Sequence, residues 1–516
     1  MIYQILVPIA GTLLCYMVLY VVQFVYRDLT SPLRHVVGPK NPSLIVGNFR
    51  QMAADPHLTE KWRQEFGANF RFRSLFSISE LHTSDIKAIN HIVNNSSIYR
   101  KAAFSLESAN RLMGRGVLGV ELDEHKHHNP AFGVPQIRMM TEIFVEKAVQ
   151  LRDIWAGQVL SWLRRMTLDV IGQAGFDYQF EALDVKGEPN ELDQVFTQLF
   201  HSPQATRNQG FRVAQSMPLP GMKLLASARG KMLSIGGRIV STSKANLDAS
   251  EADKALGNRR DLLSVLLRAN LSPDIPESQR LTDAEVIAQI PTFFVAGHET
   301  TSSATAWALH ALSLNKAAQS KLREELLNMS TDNPTMDELN SLPYLEMVVR
   351  EMMRVHAPVV FIQRMAMQDD VLPLSKPYID KAGKSHASLP IPKGQVIHIP
   401  ILAVNTDPEI WGPDAGEFKP ERWEKVPDAA TEIPGAWANL LSFFAGPHNC
   451  IGFRFSLVEM KALLFTLIRA FEFDPAVTKG GIGPSPSLLQ RPRVIAEKGK
   501  GSQLPLIVKP YDAQGF

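Results

Sequence analysis

The residue best suited to chemistry in this sequence is Cys450, which lies in the stretch FFAGPHNCIG at residues 443–452. The only other cysteine is Cys15, so the chain cannot build a disulfide framework. A lone thiol close to His448 can fill a core, bind a metal or act as a nucleophile. Zinc is a poor match, because a structural zinc site needs about four protein ligands and this stretch offers only a histidine and a cysteine.

A second set of polar side chains interrupts a long apolar segment that starts at LTDAEV. Thr282 and Glu285 have the spacing of a capping box, which predicts that a helix begins there. The segment is apolar on nearly every face, so this helix must run through the centre of the protein. Within it, Glu299 and Thr300 are costly to bury. An acid beside a hydroxyl that can bond the carbonyl of Ala296 opens a groove in which protons can move.

Charged residues form two further motifs. In YLEMVVREMMRVHAPVV, Glu351 and Arg354 are three residues apart and share one face of a predicted helix, where they can pair. In FKPERW, Arg422 lies in an extended, proline-bounded segment and offers a second cation for the same carboxylate. Taken singly, each of these residues is equally well explained as solvated surface charge.

The elements that must position these residues are mostly helical. Four long stretches place apolar residues at three- and four-residue spacing, whereas strand-like stretches such as QVIHIPILAV are a minority. The sequence therefore predicts a mainly α fold with small β-sheets. We expect three parts: an anchor at residues 1–26, a Pro/Gly-rich linker at 27–47 and one catalytic domain at 48–516.

The first part predicts a transmembrane helix. Ile2–Tyr26 runs 25 residues without a charge, which is enough to cross a bilayer. Arg27, Arg34 and Lys40 follow the span, so the positive-inside bias predicts a cytosolic catalytic domain, in agreement with the shortage of disulfides.

Composition gives no electrostatic reason to expect a nucleic-acid partner. The chain has 516 residues, of which 54 are basic and 52 acidic, and its formal charge is +2. Because the charges are interspersed, nothing favours a nucleic-acid partner.

The motifs AGHETT, EMMR, FKPERW and FFAGPHNCIG, in this order and at these separations, resemble the cytochrome P-450 family, specifically its membrane-bound fungal type. The resemblance covers essentially the whole chain. It implies the cytochrome P-450 fold behind an N-terminal transmembrane helix, and a haem b cofactor whose iron takes Cys450 as its axial thiolate ligand. A thiolate ligand donates electron density and favours O–O cleavage. The loop agrees with this role, since the N-terminus of a following helix and nearby N–H groups lower a thiol pKa.

The resemblance also assigns roles to the other motifs. It makes Glu351, Arg354 and Arg422 a structural salt-bridge triad that holds the core on the haem side. It makes Glu299 and Thr300 the acid and alcohol that deliver protons for oxygen reduction.

Haem propionates are the expected partners of His448 and of Arg364, which lies in FIQRMA. The sequence departs from similar fungal proteins at DEHKHHNPAFG, which lacks about one helical turn that includes arginines and contacts a propionate. Either Lys126 or His127 substitutes there, or haem is held poorly, or the stretch before Asn129 reflects an incorrect exon junction.

For other residues near the implied site, the resemblance implies less specific roles. Phe293, Phe294, Val359 and Val360 would line an apolar pocket over the iron, although ordinary core packing explains them nearly as well. Residues 211–225, FRVAQSMPLPGMKLL, would dip into the membrane and admit substrate from the lipid.

The resemblance implies a haem-thiolate monooxygenase in the endoplasmic reticulum membrane. It would oxidise a small lipophilic substrate with O2, and a separate NADPH-cytochrome P-450 reductase would deliver the electrons. The sequence agrees, since it shows no attached flavin domain. Arg454 and Lys461 are candidate docking charges for the reductase. Secondary metabolism of a terpenoid or polyketide is the expected context. The alternatives are a haem-thiolate isomerase, a peroxide-using enzyme, or a haem protein impaired by the short region at Lys126.

Overall fold

A computed structural model of the chain shows two compact units, each built from two separate stretches of sequence. The first unit comprises residues 1–102 and 362–400, and the second comprises residues 103–361 and 401–516. The prediction of one catalytic domain at residues 48–516 stays a prediction. The structure describes residues 2–55, 58–121, 132–155, 159–184, 190–191, 194, 220–252, 261–271, 280–485, 489–497 and 499–511.

In the first unit, the described residues form four α-helices and seven strands. The helices are α1 (Ile2–Thr30), α2 (Phe49–Ala54), α3 (Leu58–Phe66) and α4 (Ile86–Asn94). The strands are β1 (Asn69–Arg73), β2 (Ser79–Thr83), β3 (Tyr99–Lys101), β4 (Ile362–Ala366), β5 (Asp370–Ile379), β6 (Ser385–Ile391) and β7 (Val396–Ile399). Five of these strands form one sheet in the order β1-β2-β7-β4-β3, and β5 pairs with β6 in an antiparallel hairpin.

Helix α1 covers the residues predicted to cross the membrane and continues to Thr30. Among the residues that the structure describes, no helix combines the length and apolar character needed to span a bilayer. The transmembrane prediction for residues 2–26 is therefore not confirmed.

Residues 27–47, the predicted linker, lie within the first unit. Its residues Leu33 and Val36 are buried, and the N–H of Arg71 in β1 donates to the carbonyl of Val37 at 2.8 Å. Pro and Gly content carries no information on whether the segment packs.

Two histidines lie side by side inside the sheet of the first unit. Strands β2 and β7 are parallel, and their register places His82 opposite His398. Both side chains are buried, with ring centroids 5.2 Å apart, and Phe70 stacks on His82 at 4.1 Å. The first unit thus holds two imidazoles in an aromatic core.

The second unit is mainly helical. Its described helices are α5 (Ala103–Met113), α6 (Val134–Ile154), α7 (Val159–Phe176), α8 (Pro220–Ala252), α9 (Leu262–Leu271), α10 (Asp283–Leu314), α11 (Lys316–Leu327), α12 (Met336–Asn340), α13 (Pro343–Val355), α14 (Ile401–Asn405), α15 (Pro408–Trp411), α16 (Asp428–Thr431) and α17 (Phe453–Ala470). Two small antiparallel pairs complete it, namely β8 (Phe471–Pro475) with β11 (Leu506–Pro510) and β9 (Ile482–Pro484) with β10 (Pro492–Val494). The predicted mainly α fold with small sheets is confirmed.

Helix α10 is the central helix of the second unit. Its predicted capping box is present, because the Thr282 side chain accepts from the N–H of Glu285 while the Glu285 carboxylate accepts from the N–H of Thr282. The helix packs against α7 on one side and α17 on another. Since nearly all its residues from Ala288 onward are buried, it carries the polar cluster of AGHETT into the core.

Candidate active site

The loop that carries Cys450 is a sequence of tight turns ahead of α17. Phe444 and Gly446 have φ angles of 55° and 63°, and the Cys450 N–H donates to the carbonyl of Phe443 at 2.9 Å. The ring of Phe443 is buried and packs against Trp437. These contacts fix the backbone from which the thiol projects.

The Cys450 thiol is accessible but closely surrounded. Cys450 is exposed to a molecule the size of water, yet much protein surrounds its sulfur. Burial raises the pKa of the thiol to about 11, although the hydrogen bond from the Gly452 N–H lowers it. An accessible group with such surroundings faces an enclosed space rather than the open surface. The predicted low thiol pKa is therefore wrong for the protein alone, because desolvation outweighs the helix N-terminus.

Helix α10 also borders an internal space. Between residues 288 and 313, every residue is buried except Val295, Ala296, Gly297 and Thr300, which are half-buried. Such a patch on an otherwise buried helix indicates free volume beside it. The hydroxyl of Thr300 lies within this patch and donates to the carbonyl of Ala296 at 2.6 Å, as the sequence predicted.

These features fit a haem better than a metal held by protein ligands alone. Among the residues that the structure describes, no three His, Cys, Asp or Glu side chains are grouped to bind an ion. One accessible thiol is a suitable donor for a metal whose remaining ligands come from a macrocycle. Cys450 is the residue that would hold the iron.

Glu299 is buried in a cluster of opposite charges rather than open to a groove. Its Oε1 accepts from Arg164 at 3.0 Å and its Oε2 from Arg491 at 2.9 Å, while His298 Nε2 lies 3.2 Å from Oε1. Next to it, Gly297 allows α7 to approach, because a Cβ there would come within 3.1 Å of Ile171. At this glycine, the side of α10 that faces α7 is thus closely packed.

The structure brings Glu351, Arg354 and Arg422 together. Arg354 is fully buried, and its Nε and Nη2 each donate to the carboxylate of Glu351 at 2.8 Å. Arg422 Nε lies 3.3 Å from Glu351, but its shorter contact is from Nη1 to Asp414 at 2.7 Å. That hydrogen bond lowers the pKa of the Asp414 carboxyl to about 2. Sequence reasoning missed Asp414 as the main partner of Arg422.

Two of the expected propionate partners contact other protein groups. His448 Nε2 lies 2.7 Å from a carboxylate oxygen of Glu121, which already engages one ring nitrogen. Arg364 lies on β4 in the first unit, is mostly buried, and donates from Nη1 to the carbonyl of Gln363 at 2.9 Å. Lys126 and His127 lie outside the described residues. The propionate roles stay predictions.

Comparison with known proteins now identifies the family. A family model described as Cytochrome P450 matches residues 37–495. The chain belongs to the cytochrome P450 family. It is 46% identical to Cytochrome P450 monooxygenase 205 of Postia placenta, over 94% of each chain. It is 45% identical to Cytochrome P450 monooxygenase 128 of the same fungus, over 97% of each. Ganoderic acid synthetase CYP5150L8 of Ganoderma lucidum is 33% identical, over 91% of this chain and 92% of its own. The protein is thus a P450 monooxygenase, an oxidoreductase, and the family implies a haem iron.

Two of the four expected pocket residues of this P450 belong to the core. Phe294 is fully buried between Phe176 and Phe180, so it lines no pocket. Phe293 is nearly as buried, but its ring lies 5.3 Å from that of Phe132. Val359 and Val360 are half-buried.

Phe132 was missed by sequence reasoning. Its ring contacts Phe293 of α10 and Phe455 of α17, and a Cβ on Gly452 would meet it at 3.6 Å. It therefore connects the central helix with the cysteine loop. Only the phenylalanine of NPAFG marks it in the sequence, and nothing there shows what it contacts.

The two candidate docking cations of the P450 differ in position. Arg454 is exposed, with its guanidinium 4.4 Å from the ring centroid of Phe453. Lys461 is buried and binds Glu346 and Asn340, each at 2.7 Å. The expectation that Lys461 faces a reductase is wrong, because its position on α17 points into the core. Most of residues 211–225 lie outside the described residues.

Glu459 is a third residue that the sequence did not mark. It lies on α17 with 1% of its surface exposed, and within the described residues neither carboxylate oxygen has a hydrogen-bond partner. Burial raises the pKa of this carboxyl well above its usual value, although the nearby Thr301 hydroxyl opposes the shift. Burial thus disfavours the charged form of this carboxyl group, which lies beside Thr301. In the sequence, the only sign that Glu459 is buried is its position among the apolar residues of α17.

Proposed function

We propose that this P450 oxidises a small lipophilic substrate with O2 and with NADPH electrons supplied by a separate reductase. One observation carries the proposal: an enclosed but accessible thiol, Cys450, occurs in the same unit as a half-buried patch on α10 that includes the Thr300 hydroxyl. Such a patch in an otherwise buried helix provides room for an apolar molecule.

When bound, the haem supplies the redox chemistry that activates O2, with its electronic properties tuned by the thiolate. Cys450 would hold the iron, and the hydrogen bond from its N–H to the carbonyl of Phe443 keeps the loop in place. Binding to a ferric ion would favour the thiolate, which the protein alone disfavours.

Thr300 and Glu299 are proposed to handle protons. The Thr300 hydroxyl is half-accessible and tethered to Ala296, so it can donate to a group in the internal space and be oriented while it does so. Glu299 is held by Arg164 and Arg491, and it would have to exchange one of these partners before it passed a proton on.

The proposed location is the endoplasmic reticulum membrane, with a single span at residues 2–26 and a cytosolic catalytic domain. Supporting this, the segment is uncharged and helical, and α1 exposes several apolar side chains, among them those of Tyr16, Leu19 and Val22. Exposed apolar residues on a helix are suited to contact with lipid.

The proposed biological context is fungal secondary metabolism, with a terpenoid or polyketide as substrate. Support comes from a relative named ganoderic acid synthetase, and from the fungal origin of the other relatives described above.

The cysteine substitution Cys450→Ser tests the haem assignment. We expect the reduced protein with CO to lose the absorption band of thiolate-ligated haem, because the donor atom is changed. Cys15→Ser is the matched control, since Cys15 is the other cysteine and is exposed on α1. Retention of the band in Cys450→Ser would refute the assignment.

Thr300 is tested with a substrate found by screening compounds for a shift in the haem spectrum. Thr300→Ala should reduce the product formed per NADPH consumed by at least about tenfold, because the proton donor is lost. Thr300→Ser keeps a hydroxyl and should keep most of the yield. Equal yields from both variants would contradict the proton role of Thr300.

A further inference from the structure

A basic cavity lies at the C-terminal end of α1, entirely within the first unit. Its volume is about 420 Å³, within the range of ligand pockets. Its charged lining residues are Asp28, Arg34, Lys40, Arg71, Arg73 and Lys381.

The single carboxylate among these residues is already committed to two of the cations. Arg73 Nη1 and Nη2 each donate to Asp28 at 2.7 Å, and Arg71 Nη2 contacts the same carboxylate at 2.5 Å. Within the described chain, Arg34, Lys40 and Lys381 form no ion pair. The lining therefore has four more positive than negative charges.

Excess positive charge in a partly enclosed space is unfavourable, and the cations show it. Burial, and then the charge of Arg73, lower the pKa of Arg71. Burial, and then the charges of Arg71 and Arg73, lower the pKa of Lys381. An anion in the cavity would relieve this repulsion.

The cations are held in place by backbone contacts that need no ligand. Lys381 Nζ donates to the carbonyl of Arg34 at 3.0 Å, and Arg34 Nη1 donates to the carbonyl of Leu29 at 2.8 Å. The cavity wall lies tight on β1, because a Cβ on Gly38 would come within 1.9 Å of the Arg71 carbonyl oxygen. A preorganised set of donors loses little entropy when it binds a ligand.

We propose that this cavity binds a phosphate group. Guanidinium and ammonium donors converge there, and a phosphate offers several acceptor oxygens with a charge that matches the excess. The cavity adjoins α1, whose exposed apolar side chains suit a lipid, so a phospholipid headgroup and a free phosphate ion are the two sources to be distinguished. This binding is independent of the oxidation chemistry.

The test uses the full chain and the double variant Lys40→Gln/Lys381→Gln. Two probes are used: inorganic phosphate by calorimetry, and phosphatidylcholine vesicles with and without a minor fraction of phosphatidic acid. Lys87→Gln/Lys393→Gln is the matched control. Both lysines are exposed in the first unit and lie outside the cavity, and the two substitutions remove the same charge as the cavity variant.

The cavity variant should weaken binding of a phosphate-bearing probe by roughly tenfold or more, whereas the control should change it little. Asp28→Asn should act in the opposite direction, because it frees Arg71 and Arg73. An effect with inorganic phosphate identifies a soluble ligand, and an effect only with phosphatidic acid identifies a lipid. Equal weakening by the cavity and control variants, or no weakening by either, would overturn the proposal.

Discussion

At the scale of single residues, this P450 holds two acidic groups in unfavourable surroundings. The Cys450 thiol has a pKa raised to about 11 and becomes a good ligand only when a cation compensates its desolvation. Glu459 has no hydrogen-bond partner for its carboxylate oxygens among the described residues, and burial disfavours its charged form. A bound cation can thus stabilise the charged form of Cys450, whereas no described residue pairs with Glu459 in this way.

Glu459 should make stability depend on pH. Its pKa in the folded state lies above the usual 4.5, so its contribution is fully present below pH 4.5 and is lost as the pH rises toward the folded-state pKa. Each pH unit in that window costs up to about 1.4 kcal/mol. Glu459→Gln removes the titration, so the free energy of unfolding in urea should fall less steeply with rising pH above pH 4.5 than in the parent protein, by up to about 1.4 kcal/mol per unit.

Glu324→Gln is the matched control for Glu459→Gln. Glu324 is an exposed glutamate on α11, so its substitution should leave the slope of the parent protein unchanged. A parental slope in Glu459→Gln itself would show that this carboxyl does not titrate in the folded protein as proposed.

At the scale of elements, one guanidinium joins α13 to the segment that follows α14. Arg354 donates to Glu351 on its own helix and to the carbonyls of Asn405, Ala415 and Glu417 at 3.0, 2.6 and 3.0 Å. The Glu351 carboxylate in turn accepts from the indole of Trp423 at 3.1 Å. A buried charge with this many partners organises backbone that has no regular structure of its own.

Arg354→Ala should therefore destabilise the protein by roughly 3–5 kcal/mol, since it leaves the buried Glu351 charge and three carbonyls without their donor. Arg354→Lys should also be costly, because an ammonium group cannot reproduce the planar fork. The measurement is the free energy of unfolding in urea, supported by the yield of haem-loaded protein.

Arg350→Ala is the control on the same helix. Arg350 pairs with Glu346 at 2.7 Å but is partly exposed, and Glu346 keeps its bond to Lys461. Its loss should cost less than about 1 kcal/mol. Similar costs for Arg350→Ala and Arg354→Ala would contradict the special role of the buried pair.

At the scale of the whole molecule, two buried histidines should make stability fall as the pH falls, whereas Glu459 makes it fall as the pH rises. Burial lowers the pKa of His398 to about 3, and burial together with the charge of His398 lowers that of His82 well below 6.5. Their contribution to stability is present above pH 6.5 and is lost as the pH falls toward the folded-state values. Stability should thus decline on both sides of an intermediate pH.

His398→Phe, studied with His82→Phe in the same chain, tests this decline on the acid side. Between pH 6.5 and 4.5 the parent protein should lose up to about 1.4 kcal/mol per unit for each titrating imidazole, and the double variant should lose less. Phenylalanine keeps the aromatic packing against Phe70. An unchanged acid slope in a folded double variant would refute the assignment.

What the sequence determined by itself was local or motif-based. The capping box at Thr282, the bond from Thr300 to Ala296 and the pairing of Glu351 with Arg354 all depend on residues within four positions, where helix geometry sets the contact. The spacing of the motifs around Cys450 was enough to indicate the family, which the comparisons establish.

Only the tertiary structure decided which distant groups meet. Arg164 and Arg491 reach Glu299 from positions well over a hundred residues away, and Asp414 takes the shorter contact of Arg422. The phosphate cavity joins the end of α1 to Lys381. Burial is likewise a property of packing, and it made Lys461 an internal cation and raised the pKa of Cys450 where local sequence predicted the reverse. Periodicity and spacing describe one segment at a time, whereas charge pairing and desolvation depend on every segment that packs around a group.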